Sequence, residues 1–121
     1  QMNSQELITA VQYELPIKVA ILNNGYLGMI RQWQELFFNR RYSASDLEVS
    51  PDFVKLAQAH GAVGIGAEKP SDVEAVIKEA INTPGPVVLD FRVNREENVY
   101  PMVPAGSSIK NMLLGPSKSG S

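Results

Sequence analysis

An apolar run that ends in two asparagines is the feature that most constrains how this chain can fold. Residues 17–22 are Ile-Lys-Val-Ala-Ile-Leu, and Asn23, Asn24 and Gly25 follow directly. Such a run with β-branched members is typical of a buried parallel strand, which is covered on both faces. Asparagine is a poor strand residue, so the pair marks the end of the strand. The run therefore predicts a strand with polar side chains at its carboxyl end, where open α/β sheets bind ligands.

Helical patterns alternate with apolar strands along the rest of the chain. The predicted elements are a helix from Asn3 or Ser4 to Pro16, a strand at 17–22, a helix at 27–38, a polar loop at 39–50, a helix at 51–61, a strand at 62–66, a helix at 70–81, a strand at 87–93 and a short helix near 107–113. This alternation favours an α/β fold with a three-layer parallel sheet that has helices on both faces. Because three strands make a small sheet, we expect its first edge to be exposed.

Each predicted helix has an apolar stripe that we expect to be buried. The stripe residues are Leu7, Ile8 and Val11 in the first helix, Leu27, Ile30, Trp33, Leu36 and Phe37 in the second, Phe53, Leu56 and Ala57 in the third, and Val73, Val76, Ile77, Ala80 and Ile81 in the fourth. Ser50 is the expected cap of the third helix, with Pro51 at its first position and Gly61 at its end.

Composition limits the chain to a few classes of protein. Its 121 residues are enough for one domain with one modest core, and we find no repeats and no internal domain boundary. The net charge of −2 gives no electrostatic reason to expect a nucleic acid or an anionic membrane as a partner. The chain has no cysteine, which excludes disulfides and thiolate metal sites. No apolar run reaches the roughly 20 residues of a membrane helix, and no signal peptide is visible.

The turn after the first strand has two interpretations. It is either an ordinary connection made of turn-tolerant residues or part of a cation–phosphate site. In the second case the ligands would be the side-chain amide oxygen of Asn24 and a backbone carbonyl such as that of Tyr26. The turn itself contains no carboxylate, so an acidic ligand would have to come from elsewhere.

Five short sequence motifs make the second interpretation, the cation–phosphate site, specific. They are residues 1–7 (Gln-Met-Asn-Ser-Gln-Glu-Leu), 23–29 (Asn-Asn-Gly-Tyr-Leu-Gly-Met), 28–35 (Gly-Met-Ile-Arg-Gln-Trp-Gln-Glu), 41–43 (Arg-Tyr-Ser) and 101–106 (Pro-Met-Val-Pro-Ala-Gly). Together they resemble the catalytic subunit of the acetolactate synthase (acetohydroxyacid synthase) family, in the C-terminal part of its thiamine diphosphate-binding domain. The family's cofactor motif opens with Gly-Asp-Gly and closes with Asn-Asn, and we expect the opening triplet a few residues before Gln1.

The resemblance implies a role for seven residues of this sequence. It implies Asn24 and Tyr26 as ligands of Mg²⁺, Met2, Gly28 and Met29 as neighbours of the cofactor, and Trp33 and Ala105 as parts of the substrate channel. It implies no catalytic residue within this segment, because the family's activating glutamate lies in its N-terminal domain. Residues 1–114 would form the C-terminal part of the cofactor-binding domain, and residues 115–121 have the composition of a flexible linker or tag.

The implied activity joins two pyruvates, or pyruvate and 2-oxobutyrate, to an acetohydroxyacid with loss of CO₂ in branched-chain amino-acid biosynthesis. The implied cofactors are thiamine diphosphate and Mg²⁺, with FAD bound by a domain outside this segment. The implied partners are the remaining domains of the same chain, a homodimer or tetramer with active sites at subunit interfaces, and a regulatory small subunit. The implied location is the cytoplasm of a bacterium, or a plastid or mitochondrion, and we expect the segment alone to be inactive.

Other interpretations of the same residues stay open. Another thiamine diphosphate-dependent 2-oxo acid enzyme, an oxidase or a decarboxylase, would use the same turn. A free-standing flavodoxin-like binding module is an alternative of a different class, although it would need five strands. Without the resemblance, Trp33 would be interpreted as a core residue, His60 as a helix C-terminal cap and Arg40 with Arg41 as part of a solvated loop.

Overall fold

The structure is a computed structural model that describes residues 2–116. Its helices are α1 (Leu7–Gln12), α2 (Gly28–Phe37), α3 (Phe53–Ala59) and α4 (Val73–Asn82), and its strands are β1 (Lys18–Asn23), β2 (Val63–Ala67) and β3 (Val87–Arg92). None of these helices has the length and apolar character needed to cross a membrane. Most of the predicted tail, residues 117–121, lies outside the described residues.

The chain divides into two compact units, each assembled from two separate stretches of sequence. The sheet unit comprises Gln1–Tyr26 and Leu47–Arg95, and the loop unit comprises Leu27–Asp46 and Glu96–Ser121. Because each unit joins stretches that are distant in sequence, no shift in composition along the chain marks the division.

The sheet has the strand order β1-β3-β2, and both strand pairs are parallel. The predicted parallel sheet is therefore confirmed. In the register of β1 and β3, Asn23 pairs with Arg92, and in that of β2 and β3, Ala67 pairs with Phe91. All three strands thus reach their carboxyl ends at the same edge of the sheet.

The central strand β3 is buried on both of its faces, because helices cover the two sides of the sheet. On one side, Val76 and Ala80 of α4 form a cluster with the β3 side chains Val87, Leu89 and Phe91. On the other side, Ala57 of α3 packs with Val88, and side chains of α1 join that cluster. Alternate residues of a strand point to opposite faces, so this arrangement confirms the predicted three layers.

Strand β1 is parallel as predicted, but the expectation that it is buried is wrong. Val19 is 41% exposed and Leu22 is 72% exposed. The reason is its position, since among the described residues β1 pairs with β3 alone and forms the edge of the sheet. This exposed edge agrees with the expectation for a sheet of three strands.

Two of the predicted apolar stripes are buried only in part. Ile8 of α1 is exposed, and so are Val73, Ile77 and Ile81 of α4, while Val76 and Ala80 are buried. The sheet is three strands wide, so α4 covers it along one line of side chains. The flanks of that line stay in contact with solvent.

Helix α3 begins at a different cap from the predicted one. Asp52, and not Ser50, is the N-cap residue, and its carboxylate accepts the backbone N–H of Lys55 at 3.0 Å. This hydrogen bond holds the pKa of Asp52 below its usual value. As predicted, Gly61 stops the helix, because it follows the C-cap residue with a φ of +83°, which is unfavourable for residues with a side chain. His60 is the C-cap residue, and its Nδ1 lies 2.9 Å from the carbonyl oxygen of Leu56.

The predicted C-terminal helix near residues 107–113 is shorter than expected. The structure has a single 3₁₀ turn there, Ile109–Asn111, within the loop unit. An antiparallel bridge between Met102 and Leu113 holds the two ends of residues 102–113 together, with backbone hydrogen bonds of 2.9 and 2.7 Å.

We predict that Gly64→Ala destabilises the sheet unit by about 1–3 kcal/mol, the usual range for overpacking. A Cβ atom at Gly64 would lie 2.5 Å from the backbone carbonyl oxygen of Val54, so α3 would have to move away from β2. Gly66→Ala is the matched control, because its Cβ would meet only the Cγ2 atom of Val54 at 3.8 Å. Urea unfolding of both variants checks the prediction, and equal midpoints would contradict it.

Candidate functional site

The turn after β1 is held by two consecutive side-chain hydrogen bonds. The Asn23 Oδ1 atom accepts the backbone N–H of Gly25 at 3.2 Å, and the Asn24 Oδ1 atom accepts that of Tyr26 at 3.1 Å. Gly25 lies between them with a φ of +69°, a conformation that glycine adopts without strain. The asparagine pair therefore fixes its own turn at the carboxyl end of an edge strand.

The two predicted metal ligands, Asn24 and Tyr26, lie together in this turn. An amide oxygen has two lone pairs, and the hydrogen bond from the Tyr26 N–H uses one of those on Asn24. The second lone pair suits a hard cation such as Mg²⁺. Residues 2–116 contain no group of three or more His, Asp or Glu side chains placed to hold a metal. The turn can thus supply a cation with neutral oxygen ligands.

A buried carboxylate lies beside the turn and was not among the predicted site residues. Asp90 of β3 is only 5% exposed, and its Oδ2 atom accepts the side-chain N–H of Asn23 at 3.3 Å. The guanidinium of Arg92 lies 3.6 Å from the same oxygen, while the Oδ1 atom of Asp90 is buried and has no hydrogen-bond partner among residues 2–116. The signal in the sequence is an aspartate that interrupts the apolar run at residues 87–91.

An arginine stacks on the outer side of the turn. The guanidinium carbon of Arg95 lies 4.5 Å from the centre of the Tyr26 ring, a cation–π distance. A Cβ atom at Gly25 would lie 3.5 Å from the Nε atom of Arg95. The Tyr26 side chain therefore packs against Arg95.

Met2, a predicted cofactor neighbour, lies in the sheet unit on an apolar groove. The groove has a volume of about 490 Å³ and is also lined by Leu7, Val19, Ile21 and Phe53. Met2 itself is 94% exposed. Its side chain is thus available for contact with a further molecule or segment.

The loop unit contains the other four predicted residues, and α2 carries three of them. Gly28 is the first residue of α2, and Met29 and Trp33 line an apolar groove of about 530 Å³ together with Ile30 and Phe37. Trp33 is 43% exposed, and its ring meets that of Phe37 edge-to-face at 6.4 Å. The apolar stripe of α2 is therefore an accessible surface, and the interpretation of Trp33 as a core residue is wrong.

Helix α2 buries polar side chains in place of that stripe. Arg31 is buried, with an ion pair to Glu35 at 2.8 Å, a second to Glu96 at 3.6 Å and the Tyr42 ring 5.2 Å away. Burial by itself lowers the pKa of Arg31, but the hydrogen bond to Glu35 and the nearby negative groups together raise it. Arg31 thus stays charged at every physiological pH.

Gln32 is the second buried residue of α2 and connects the helix to the segment that follows β3. Its side-chain amide donates to the carbonyl of Val99 at 2.9 Å and accepts the N–H of the same residue at 2.8 Å. The Nε2 atom also lies 3.1 Å from the sulfur of Met102. Ala105, the last predicted channel residue, is exposed in the next turn, where the Ser107 N–H donates to the Pro104 carbonyl at 3.0 Å.

The remaining charged candidates, Arg40, Arg41 and His60, lie in a solvated loop or cap a helix. Arg40 and Arg41 are exposed in the loop that follows α2, as predicted for a solvated loop. His60 caps α3 as predicted, with its Nδ1 atom directed at the carbonyl oxygen of Leu56. The glycine-rich residues 61–66 form the turn after α3 and most of β2, so they do not make a nucleotide-binding loop.

Comparison with known proteins finds one family and relatives whose names agree with each other. Residues 1–91 match the family described as thiamine pyrophosphate enzyme, C-terminal TPP binding domain. The chain is 47% identical over 114 residues to the acetolactate synthase large subunit of Porphyra purpurea, covering 93% of this chain and 19% of that protein. It is 52% identical over 114 residues to the acetolactate synthase large subunit of Mycobacterium tuberculosis, covering 89% of this chain and 18% of that protein.

A solved structure shares the fold. The thiamine diphosphate-dependent 4-hydroxybenzoylformate decarboxylase of Rhodococcus jostii superposes with a TM-score of 0.71 at 28% sequence identity, over 78% of this chain and 18% of that chain. This chain therefore spans about a fifth of the length of the curated relatives that it matches.

We predict that Gln32→Ala loosens the segment around Val99, because both backbone groups of that residue lose their partner. The opening free energy of the segment should fall by about 2 kcal/mol, so the Val99 amide should exchange its hydrogen about 30-fold faster. Hydrogen exchange followed by NMR measures this effect. The control is Gln58→Ala, an exposed glutamine of α3. Unchanged exchange at Val99 in the Gln32 variant would contradict the prediction.

Proposed function

The chain belongs to the thiamine pyrophosphate enzymes, as part of their C-terminal TPP-binding domain, and from this premise we propose that it is a segment of an acetolactate synthase catalytic subunit. The observation that carries the proposal is the turn at residues 23–26, in which Asn24 offers a fixed amide oxygen at the carboxyl edge of a parallel sheet. Identities of 47–52% to large subunits of that enzyme support it.

The proposed reaction of the whole enzyme condenses two pyruvates, or pyruvate and 2-oxobutyrate, to an acetohydroxyacid with release of CO₂. Thiamine diphosphate, when bound, supplies the electron sink that decarboxylation of a 2-oxo acid needs. The residues of this chain bind and orient; none of them is proposed as a catalytic acid or base. The chain by itself is expected to be inactive.

Asn24 and Tyr26 are proposed to hold Mg²⁺ through a side-chain oxygen and a backbone carbonyl. A cation in this position would neutralise the cofactor's diphosphate and keep it in place. The existing hydrogen bond from the Tyr26 N–H fixes the Asn24 amide before any ligand binds, which lowers the entropic cost of binding. A carboxylate ligand is expected from another part of the polypeptide.

Met2, Gly28 and Met29 are proposed to lie against the cofactor, and Trp33 and Ala105 to line the substrate channel. The exposure of Met2, Met29, Trp33 and Ala105 supports these roles, because each side chain is accessible. Gly28 opens α2 and has no side chain that would keep a ligand away.

Further parts of the enzyme are proposed from the same assignment. The exposed apolar side chains of β1, such as Leu22, suit contact with the remaining domains of the polypeptide. We place FAD in one of those domains, the active sites at the interfaces of a homodimer or tetramer, and a regulatory small subunit beside the large one. The relatives come from a mycobacterium and an alga, which favours the bacterial cytoplasm or an organelle as the location.

A second candidate function is a thiamine diphosphate-dependent 2-oxo acid decarboxylase. The fold match to the Rhodococcus jostii decarboxylase supports it. The two candidates differ in the fate of the decarboxylated substrate, which a synthase joins to a second 2-oxo acid. Product analysis with pyruvate as substrate separates them, since acetolactate indicates a synthase and acetaldehyde a decarboxylase.

We predict that Asn24→Ala weakens Mg²⁺-dependent binding of thiamine diphosphate by about tenfold or more, because a cation ligand and the fixed turn are lost together. The test uses a full-length large subunit that carries this chain in place of the matching 114 residues of the Mycobacterium tuberculosis relative. Calorimetric titration measures the affinity. The control is Asn82→Ala at the exposed end of α4. Unchanged affinity in the Asn24 variant would remove this residue from the site.

We predict that Trp33→Leu changes the preference between 2-oxobutyrate and pyruvate by about fivefold or more, the effect of about 1 kcal/mol in a pocket contact. The unfolding midpoint should stay close to that of the parent protein, since Trp33 is 43% exposed. Competition between the two substrates in the same full-length protein measures the preference. Ile81→Ala, an exposed apolar residue of α4 outside this groove, serves as the control. A fall in stability without a change in preference would return Trp33 to a structural role.

A further inference from the structure

The buried carboxylate of Asp90 needs an explanation beyond the stability of the sheet. It occupies the central strand, is 5% exposed, and has one oxygen atom with no hydrogen-bond partner in the described part of the chain. A buried charged group that is only partly paired is costly in free energy, whereas an apolar residue at the same position would carry no such cost. Val88, two residues earlier on the same face of β3, shows that apolar side chains are buried on this side of the strand.

The contacts of Asp90 lead directly to the turn. Its Oδ2 atom accepts the side-chain N–H of Asn23 at 3.3 Å, and the Oδ1 atom of Asn23 accepts the N–H of Gly25 at 3.2 Å. A carboxylate accepts hydrogen bonds and does not donate them, so it dictates which end of the Asn23 amide faces β3. The oxygen of that amide is then directed at the turn.

Asn24 follows the last residue of β1 and belongs to the same turn as Asn23. Its side-chain oxygen accepts the Tyr26 N–H at 3.1 Å, directly after the bond from the Gly25 N–H to Asn23. The turn is therefore connected to the rigid core of the sheet through the Asn23–Asp90 contact.

We propose that Asp90 is a positioning residue that fixes the Asn23–Tyr26 turn for cation binding by orienting the Asn23 amide. The proposal rests on the proposed function, because it assigns the turn to the Mg²⁺–diphosphate site. Asp90 touches neither the cation nor the cofactor in this proposal. Its effect reaches them through two hydrogen bonds, from Asn23 to Asp90 and from Gly25 to Asn23.

The experiment compares variants of the full-length protein described above by calorimetric titration with Mg²⁺ in the presence of thiamine diphosphate. Asp90→Ala should weaken Mg²⁺ binding by about tenfold, the lower range for loss of a residue that orients a metal ligand. Asp90→Asn should restore affinity to within about threefold of the parent, because its amide oxygen can still accept from Asn23. Asn23→Ala removes the same contact and also the acceptor of the Gly25 N–H, so it should weaken Mg²⁺ binding at least as much as Asp90→Ala.

A double variant and a stability control separate positioning from loss of stability. Asn23→Ala combined with Asp90→Ala should bind Mg²⁺ no more weakly than Asn23→Ala alone, since Asp90 acts only through Asn23 in this proposal. Val76→Ala opens a cavity in the cluster on the opposite face of the sheet and should leave Mg²⁺ affinity unchanged. If Asp90→Ala does not fold, the Asn23→Ala and Asp90→Asn variants carry the same comparison.

The outcomes distinguish this proposal from the proposed function. Parental affinity in both Asp90→Ala and Asn23→Ala, together with weak binding in Asn24→Ala, would overturn the positioning role and leave the metal site intact. Parental affinity in Asn24→Ala would overturn the metal site itself. Equal losses in Asp90→Ala and Val76→Ala would also overturn the positioning role, because they would reduce the effect to stability.

Discussion

The parallel pairing of β3 with both of its neighbours is the constraint on which the sheet unit depends. Strand β3 lies between β1 and β2, and the two helical layers bury both of its faces. Parallel strands in register end together, so the carboxyl ends of β1 and β3 meet at the same edge. This pairing brings Asn23 and Asp90, which are 67 positions apart in sequence, into hydrogen-bond contact. The candidate site is thus a consequence of the register of one strand pair.

The elements that local sequence determines could be predicted, and those that depend on distant contacts could not. The run at residues 17–22 and the Asn-Asn-Gly turn identify a strand and its end, and the structure has both. The contact between Asn23 and Asp90 depends on the register of two strands, about which neither strand carries local information. Asp52 and Ser50 are both good N-cap residues, and only the backbone geometry decides between them.

Helix α2 shows a limit of periodicity as a guide to burial. Its apolar residues recur at helical spacing, which predicts a face but does not identify what covers that face. In the structure, Arg31 and Gln32 are buried because each has charged or backbone partners, while Trp33 is exposed. A pattern of hydrophobic residues therefore gives the same signal for a core face and for a surface that binds a ligand. The proposed position of Trp33 in a substrate channel comes from the resemblance to a family and not from the helical spacing of apolar residues.

The two adjacent asparagines have different hydrogen-bond partners in the turn. Asn23, the last residue of β1, is buried and donates to Asp90, whereas Asn24 lies beyond the strand and accepts the Tyr26 N–H. A buried amide needs both a donor and an acceptor partner, and Asn23 finds them in the Gly25 N–H and the Asp90 carboxylate. An apolar residue in place of Asn23 would need neither partner but would leave the Gly25 N–H without its side-chain acceptor. Asn23 and the buried Asp90 are thus one requirement, and in the proposed site this requirement holds Asn24 in place.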